Sequence, residues 1–433
     1  MRRVLLTIAA LAAGAGALAA QDPGRANDAI RIGISYRPGT RPGLVMVPGP
    51  GLDSVRAIIG RDLDYTDRFQ MVEVGADAAA SARTTPGPVN YGLFRTFGAT
   101  HAVEILPAAG GVTVRLHDLG ASRVRNAQTY VLQPAEAAGF RLAVHRIADD
   151  VARWATGTEG FAASRIAYIA AGRAYRVDSD GEAVGGLTPA GASVLSPVWS
   201  PDGGRIAYTR LDRWSIAVTT LGTGATQTVP GTESGQNITP AFSGDGRTIA
   251  YAHMDASGTN VYTGDVAENC CVQRLTVGRF ADNLSPTYAP DGRRVAFVST
   301  RSGQPQIYVM GADGTDQELL APADYGATGP SNAPEWSPDG ASVAFHREVS
   351  RSPQIFILDV ASHRVKQLTS VGRNEDPTWA PDGRHVAFIS DRTGRRQIWI
   401  VDTDTGRVRQ LNTAGAARLP SWSRRLGGPS ANP

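Results

Sequence analysis

The sequence contains no stretch after its first twenty residues that is long and apolar enough to cross a bilayer. It also lacks an excess of either charge, since 43 basic and 40 acidic residues give a formal net charge of +3. If Arg2 and Arg3 are removed with the N-terminal segment, 41 basic residues remain against 40 acidic ones. Such a surface provides no electrostatic basis for a nucleic-acid partner, and no direct membrane insertion is expected of the mature chain.

Motifs for catalysis and for metal binding are missing as well. No Gly-x-Ser-x-Gly segment marks a serine nucleophile, and no histidine lies in a His-Glu-x-x-His pattern. The seven histidines are scattered, so we interpret each as structural or exposed: His101, His117, His145, His253, His346, His363 and His385. The sequence therefore predicts no catalytic residue, no metal site and no cofactor.

Residues 1–20 have the pattern of a cleaved export signal. Arg2 and Arg3 provide the charged start, an apolar run extends from Val4 to Ala13, and Ala17-Leu18-Ala19 offers a small-x-small cleavage site. A membrane anchor is the alternative interpretation, but this run is shorter than the ~20 residues that a spanning helix needs. No cysteine lies near the cleavage site, which argues against a lipid anchor. We expect an exported, soluble protein.

A short motif recurs in the C-terminal three-fifths of the chain. An aromatic residue is followed by Ser or Ala, Pro or Gly, Asp and Gly; Pro presets φ and Gly takes a positive φ, as in a tight turn. Full copies begin at Trp199, Phe242, Tyr288, Trp336 and Trp379, and a shortened copy begins at Trp422. The spacings of 43, 46, 48, 43 and 43 residues are typical of four-stranded propeller blades. We interpret the aspartates of the motif as turn residues and not as metal ligands.

A proline precedes every one of these aromatic residues by two positions, which gives six first-strand motifs and predicts six blades. Arg165-Ile166-Ala167-Tyr168 matches the second strand of the other copies, although no first-strand motif precedes it. The closing blade is therefore expected to take its first strand from about 417–424 and its other strands from about 164–188. Closure by both ends of the domain removes the exposed sheet edges.

The residues before the repeat alternate between strand and helix patterns. Predicted strands cover 30–34, 69–74, 102–106, 112–117 and 124–132, and predicted helices cover 54–66, 89–97 and 134–155. The fold class is thus multidomain. An α/β domain with helices on one sheet is expected over 21–160, an all-β six-bladed β-propeller with a shared closing blade over 161–427, and a tail over 428–433.

The repeat resembles the so-called PD40 blades, which occur in the TolB family, in the propellers of prolyl oligopeptidase-type enzymes and in tricorn-like proteins. The order of export signal, α/β domain and terminal propeller is similar to the TolB family. Ile30-Arg31-Ile32, Arg61-Asp62-Leu63 and Arg165-Ile166-Ala167-Tyr168 carry this resemblance. Two departures are Gly49, where the family often has phenylalanine after Val-Pro, and Gly244, which replaces the proline of the second blade.

The resemblance implies a periplasmic, monomeric scaffold of the Tol–Pal system. The N-terminal tail would bind the inner-membrane protein TolA, and its candidate residues are Asp22, Asp28, Ile30, Arg31 and Ile32. The mouth of the propeller channel would bind Pal, the peptidoglycan-associated lipoprotein of the outer membrane. The protein would then support outer-membrane invagination in cell division and outer-membrane integrity.

Polar residues lie at equivalent places around the predicted channel mouth in successive blades. A ring of amide, hydroxyl and carboxylate groups suits hydrogen bonding to a protein loop, whereas the alternative interpretation is that Asn and Asp only form turns. The candidate residues are Gln236, Asn237, Asp282, Asn283, Ser285, Asn332, Asn374, Glu375 and Asp376.

Two further points stay open in the sequence. Cys270 and Cys271 are the only cysteines, and in an oxidising compartment they are candidates for a vicinal disulfide in an outer hairpin, with a local staple, a free pair or a redox role as interpretations. The alternative function is an exported propeller enzyme, lyase or peptidase-like, with an active site at the channel mouth. A cluster of His and Asp at the channel would favour that enzyme, and an Asn-rich rim would favour the scaffold.

Overall fold

The computed structural model describes residues 41–75, 81–83, 88–278, 281–321 and 329–427. The predicted export signal, the predicted strand at 30–34, the five TolA-binding candidates and the tail at 428–433 lie outside these residues. No helix in the described ranges is long and apolar enough to span a membrane.

The N-terminal part is built on a five-stranded mixed sheet with the order β2-β1-β3-β4-β5. Its strands are β1 (Gly43–Met46), β2 (Gln70–Met71), β3 (His101–Ala108), β4 (Gly111–Asp118) and β5 (Arg123–Val131). β1 runs parallel to β2 and β3, and the remaining pairs are antiparallel. The sequence patterns missed β1 because Leu44 and Val45 are both fully buried, so the strand shows no apolar–polar alternation.

Helices cover both faces of this sheet. They are α1 (Asp53–Tyr65), α2 (Tyr91–Thr96) and α3 (Phe140–Thr156). The apolar faces of α1 and α3 pack with Val103 and Val114 on one side of the sheet, and Phe94 of α2 packs on the other side. α3 begins later than the predicted residue 134, because the chain first makes turns and Gly139 stands at the N-terminal cap.

From Arg165 onward the chain forms six antiparallel sheets of four strands, as predicted. Blade 1 contains β9 (Val194–Trp199), β10 (Arg205–Arg210), β11 (Ser215–Thr220) and β12 (Thr226–Thr228). Blade 2 contains β13 (Gln236–Phe242), β14 (Thr248–Asp255), β15 (Gly258–Asp265) and β16 (Cys270–Arg274). Blade 3 contains β17 (Asn283–Tyr288), β18 (Arg294–Ser299), β19 (Gln306–Gly311) and β20 (Glu318–Leu319). Blade 4 contains β21 (Ser331–Trp336), β22 (Ser342–Val349), β23 (Ser352–Asp359) and β24 (Val365–Gln367). Blade 5 contains β25 (Asn374–Trp379), β26 (His385–Ser390), β27 (Gln397–Asp402) and β28 (Val408–Gln410).

Blade 6 closes the ring with strands from both ends of the propeller. It joins β29 (Arg418–Trp422) to β6 (Arg165–Ala170), β7 (Arg173–Asp178) and β8 (Gly185–Gly186), in the order β29-β6-β7-β8. The predicted shared closing blade is therefore confirmed. Because strands from both ends of the propeller pair in one sheet, the two ends are held together and the ring is closed.

The aromatic residues of the repeat pack between neighbouring blades. Trp199 of blade 1 contacts the cluster around Ile169 of blade 6, and its indole N–H donates to the carbonyl oxygen of Ser421 at 3.1 Å. The indole N–H of Trp379 donates in the same way to the carbonyl oxygen of Glu335 in blade 4, at 3.2 Å. Burial of the ring and pairing of its polar atom together fix the angle between adjacent blades.

Two faces of the propeller follow from this topology. The mouth face carries the loops that lead into the first strand of each blade and the hairpins between second and third strands. The turn face carries the Pro-Asp-Gly turns and the hairpins between third and fourth strands. On the turn face Oδ1 of Asp339 accepts from the N–H of Ala341 at 3.0 Å, in agreement with the turn interpretation of the repeat aspartates.

Candidate functional site

The six first strands share a backbone bulge at the residue before the proline. These residues have φ between 48° and 52°, and the ladder to the second strand shifts register at this point in every blade. Proline suits the bulge because it has no N–H to contribute to a ladder. The residues with positive φ are Ser196, Thr239, Ser285, Ala333, Asp376 and Leu419. The bulge residues and their prolines line a channel cavity of about 390 Å³.

Three of the predicted mouth residues are fully buried inside their own blades: Asn237, Asn283 and Asn374. The Nδ2 of Asn237 donates to the carbonyl oxygens of Trp214 and Ser234, both at 2.9 Å. Its Oδ1 lies 2.8 Å from Nδ1 of His253 on the second strand. The amide thus holds the loop in front of the first strand against the hairpin of the preceding blade.

The other two asparagines repeat this arrangement. Oδ1 of Asn283 accepts from Oγ of Ser299 at 2.8 Å, and Nδ2 of Asn374 donates to Oε1 of Gln354 at 2.7 Å. Their equivalent positions in blades 2, 3 and 5 therefore have a structural cause. The expectation that these three side chains offer hydrogen bonds to a partner is corrected, because all their bonding capacity faces the protein interior.

The remaining predicted residues are accessible from the mouth face or the channel. Gln236 and Asp282 are exposed, whereas four others are half-buried in the channel wall: Ser285, Asn332, Glu375 and Asp376. Glu375 is already engaged, since its two oxygens each lie 3.2 Å from an arginine, Arg373 on one side and Arg396 on the other.

The residue directly before the bulge residue of each first strand forms the inner rim of the mouth, and this rim is uneven. Blades 1 to 3 contribute apolar side chains, and blades 4 to 6 contribute polar or charged ones. In blade order the residues are Leu195, Ile238, Leu284, Asn332, Glu375 and Arg418. The rim therefore differs from the uniform Asn-rich ring that the loops suggested.

Exposed apolar side chains also lie on the mouth face around this rim. Trp214 and Met254 occupy hairpins of blades 1 and 2 and are 37% and 39% exposed. Val349 lies at a hairpin of blade 4, and Val371 precedes the first strand of blade 5 with 63% of its surface exposed. Sequence reasoning missed these residues, because a single apolar residue in a loop shows no periodicity.

Glu335, which the sequence patterns did not single out, lies inside the channel wall. Its Oε1 accepts from Oγ1 of Thr378 at 2.9 Å and from the N–H of Trp379 at 3.2 Å. Within the described residues, no group donates a hydrogen bond to its other carboxylate oxygen. Burial raises the pKa of Glu335 to about 8, and the two hydrogen bonds oppose this shift. The equivalent residues of the other blades are Val198, Ala241, Thr287, Thr378 and Ser421, so comparison along the repeat could have identified Glu335.

His346 and Asp376 are neighbours in the same channel. Nδ1 of His346 accepts from the N–H of Asp376 at 3.2 Å and lies 4.0 Å from its carboxylate. Burial lowers the pKa of His346 and raises the pKa of Asp376. Because the ring nitrogen nearest the carboxylate is an acceptor, the carboxylate does not orient the imidazole as in a catalytic triad.

A buried ion-pair cluster joins the α/β part to the closing blade. Nδ1 of His145 on α3 lies 2.7 Å from Oδ2 of Asp62 on α1, and its Nε2 lies 3.7 Å from Oδ2 of Asp178 on β7. Burial opposes the charged form, but the carboxylates of Asp178 and Asp62 raise the pKa of His145 to about 10. Arg61 and Arg141 both pair with the buried carboxylate of Asp180.

A second cluster joins the α/β part to blade 5. Nδ1 of His385 lies 2.8 Å from Asp382, and its Nε2 lies 3.4 Å from Asp67, which follows α1. Burial opposes protonation, but the carboxylates of Asp382 and Asp67 raise the pKa of His385 to about 9. Arg407 pairs with Asp67 at 2.8 Å and with Asp64 at 3.2 Å.

Both clusters hold one histidine and two aspartates with ligand atoms within 4.8 Å of one another, a spacing that a metal ion could use. Guanidinium groups already balance these carboxylates: Arg61 and Arg141 face Asp180, and Arg384 lies 2.5 Å from Asp402. A divalent cation would place excess positive charge in a buried volume. The arrangement is therefore that of an ion-pair network.

Cys270 and Cys271 form a disulfide between adjacent residues, with sulfur atoms 2.13 Å apart. They begin β16, the outermost strand of blade 2, where Cys270 pairs with Asp265 near the turn face. The pair lies at a register shift of this edge strand, and Cys271 has a positive φ of 62°. Its position is remote from the mouth residues of the first strands.

Comparison with known proteins agrees with this architecture. The family model described as TolB beta propeller domain (PD40) matches residues 153–331 and 323–427. The Tol-Pal system protein TolB of Methylococcus capsulatus is 33% identical over 185 residues, which are 40% of this chain and 43% of the relative. The protein of the same name from Dechloromonas aromatica is 30% identical over 223 residues, 48% of this chain and 51% of the relative. The chain thus matches about half the length of these relatives.

A solved structure extends the likeness to nearly the whole chain. The crystal structure of TolB from Acinetobacter baumannii superposes with a TM-score of 0.76 and 23% identity, and covers 90% of this chain and 99% of that one. At this identity the similarity shows the fold alone. Because the family model covers more than half of the 433 residues, the chain belongs to the PD40 family of TolB β-propeller domains.

Proposed function

We propose that this chain is a periplasmic, non-catalytic scaffold of the Tol–Pal system that binds a Pal-like lipoprotein at the mouth face of its propeller. Membership of the TolB β-propeller family and two relatives named Tol-Pal system protein TolB support the proposal. Export through the signal expected at residues 1–20 is consistent with a periplasmic location. In this role the protein supports outer-membrane invagination in cell division and outer-membrane integrity.

One observation supports the mouth face more than any other surface. Trp214, Met254, Val349 and Val371 expose apolar surface on this one face, around a rim that carries three further apolar residues. Protein interfaces combine such apolar anchors with a polar rim, and truncation of large anchors costs the most affinity. Gln236, Asp282, Ser285, Asn332, Glu375 and Asp376 provide the polar groups in this proposal.

The N-terminal tail provides the second connection in the proposed assembly. Asp22, Asp28, Ile30, Arg31 and Ile32 are assigned to a TolA-like inner-membrane partner on the family resemblance. A chain that binds one partner through its tail and another through its propeller links the two membranes without crossing either. Deletion of residues 22–34 is expected to abolish TolA-like binding and to leave Pal-like binding intact.

Titration calorimetry with the soluble domain of the Pal-like lipoprotein tests the mouth assignment. Trp214→Ser combined with Met254→Ser is expected to weaken binding by at least about tenfold, because both substitutions remove exposed anchors. The matched control is Val124→Ser with Val131→Ser on β5, where both valines are exposed but distant from the mouth. Equal affinities of the two double variants, or no binding by the unaltered protein, would count against the proposal.

The alternative, an exported enzyme, requires a proton-transferring group at the channel. His346 and Asp376 are the nearest to this description, but Nδ1 of His346 is occupied by a backbone N–H. Burial also disfavours the charged form of both groups. The geometry therefore supports binding better than acid–base catalysis.

A further inference from the structure

Arginine side chains gather on one half of the mouth face. Arg351 occupies the hairpin of blade 4, Arg395 and Arg396 the hairpin of blade 5, Arg373 the loop before β25, and Arg418 the first position of β29. All five are exposed. We call these residues the basic arc.

Most of the positive charge of the basic arc is not neutralised by the protein itself. Glu375 pairs with Arg373 and Arg396, as described above. Arg351, Arg395 and Arg418 form no ion pair with any residue in the described ranges. The Oδ1 of Asp391, another carboxylate of this region, accepts from the backbone N–H of Arg373 at 2.8 Å.

The opposite half of the mouth face has a different character. Asp212 is paired with Arg210 at 2.7 Å, and Glu233 and Asp282 are exposed. The inner rim here consists of Leu195, Ile238 and Leu284, and Trp214 and Met254 lie outside it. One half of the mouth face is thus basic, and the other is apolar with mixed charge.

We infer that the mouth face binds an acidic segment of its protein partner, with carboxylates on the basic arc and apolar side chains against blades 1 and 2. The inference rests on the proposed function and adds the chemistry and the orientation of the partner. Uncompensated arginines along one half of a concave mouth attract carboxylates over distances up to the Debye length and so accelerate encounter. Arginine also binds carboxylates in bidentate geometry, which fixes the direction of the segment.

Charge reversal of the three unpaired arginines tests this inference. Arg351→Glu, Arg395→Glu and Arg418→Glu, combined, are expected to lower the association rate constant of the Pal-like soluble domain by about tenfold at low salt. The dissociation rate should change less, and the salt dependence of association should flatten. Stopped-flow fluorescence at two ionic strengths measures both rates.

Two controls separate charge from structure. Arg351→Lys, Arg395→Lys and Arg418→Lys retain the charge and should retain the association rate within about threefold. Arg123→Glu, Arg125→Glu and Arg293→Glu reverse the charge of three exposed arginines that are remote from the mouth face. This triple variant should leave the association rate unchanged. Thermal unfolding of each variant verifies the fold, and Arg395→Glu alone, at a hairpin tip, is used if the triple variant unfolds.

Failure of the acidic-segment inference can be told apart from failure of the proposed function. If the unaltered protein does not bind the lipoprotein, the proposed function fails. If it binds and charge reversal leaves the rate and its salt dependence unchanged, the acidic-segment inference is overturned. The inference is also overturned if the charge-reversal variant loses binding to vesicles of anionic lipid while its association with the lipoprotein is unchanged. The basic arc would then serve a membrane surface.

Discussion

Oδ1 of Asn374, on the first strand of blade 5, accepts a hydrogen bond at 2.9 Å from Nη2 of Arg392 in the hairpin after the second strand. The same amide donates to Oε1 of Gln354 in blade 4, so one buried side chain joins two blades. An asparagine predicted to contact a partner thus stabilises the propeller from inside.

Replacement of this asparagine should therefore affect stability before binding. Asn374→Ala removes the hydrogen bonds to Gln354 and Arg392 from a buried place and is expected to lower the free energy of unfolding by about 1–3 kcal/mol. Urea denaturation measures the change, and Asn332→Ala, half-buried in the channel wall, is the control with a smaller loss. Loss of partner binding by Asn374→Ala at full stability would contradict the structural role.

The two histidine clusters predict how stability depends on pH. The folded-state pKa values of His145 and His385 are raised to about 10 and about 9, above the unfolded value of about 6.5. Their stabilising contribution is therefore fully present below pH 6.5 and is lost as the pH rises through 9 to 10. Thermal unfolding between pH 7 and pH 10 should show a steeper loss for the unaltered protein than for His145→Gln.

His145→Gln itself is expected to cost about 3 kcal/mol at neutral pH, because Asp62 and Asp178 lose a buried cation. His363→Gln is the control, since that histidine lies on a blade 4 hairpin, where its Nδ1 lies 3.4 Å from the carbonyl oxygen of Leu320. An identical pH profile for the unaltered protein and His145→Gln would show that the imidazolium does not hold the two parts together.

The carboxyl group of Glu335 also predicts that stability falls as the pH rises, although the titrating group is here an acid. Its folded pKa is raised to about 8, so the folded state favours the neutral acid, and stability falls as the pH rises from about 4.5 through 8. Glu335→Gln keeps an acceptor for Thr378 and Trp379 and should stabilise the protein by about 2 kcal/mol at pH 9. Near pH 4 the two proteins should unfold alike. Chemical denaturation at both pH values is the measurement, and destabilisation by Glu335→Gln at pH 9 would disprove the assignment.

The disulfide between Cys270 and Cys271 should be dispensable for binding. It lies on the outermost strand of blade 2 near the turn face, away from the mouth. Cys270→Ser with Cys271→Ser is expected to retain the affinity for the Pal-like soluble domain within about threefold. A larger loss measured by calorimetry would place the pair in the binding function.

The repeat made the propeller predictable, and the individual side chains were less so. Pro-x-aromatic copies and the turn motif determine blade number and closure, because a bulge and a tight turn require particular residues. Asn283 shows the limit, since its loop position suggests a surface role and only its contacts with Ser299 and Thr259 reveal burial. The pairing of His145 with Asp62, 83 residues apart, depends on tertiary packing that no local pattern encodes.

The location of the partner is the central claim, and hydrogen–deuterium exchange of the complex tests it most directly. Binding of the Pal-like soluble domain should slow exchange in the mouth-face segments at 211–215, 253–258, 349–352, 371–376 and 391–397, which are hairpins and loops of blades 1, 2, 4 and 5. Exchange in the Pro-Asp-Gly turns and in β5 should not change. Protection confined to the turn face or to the α/β part would contradict the account.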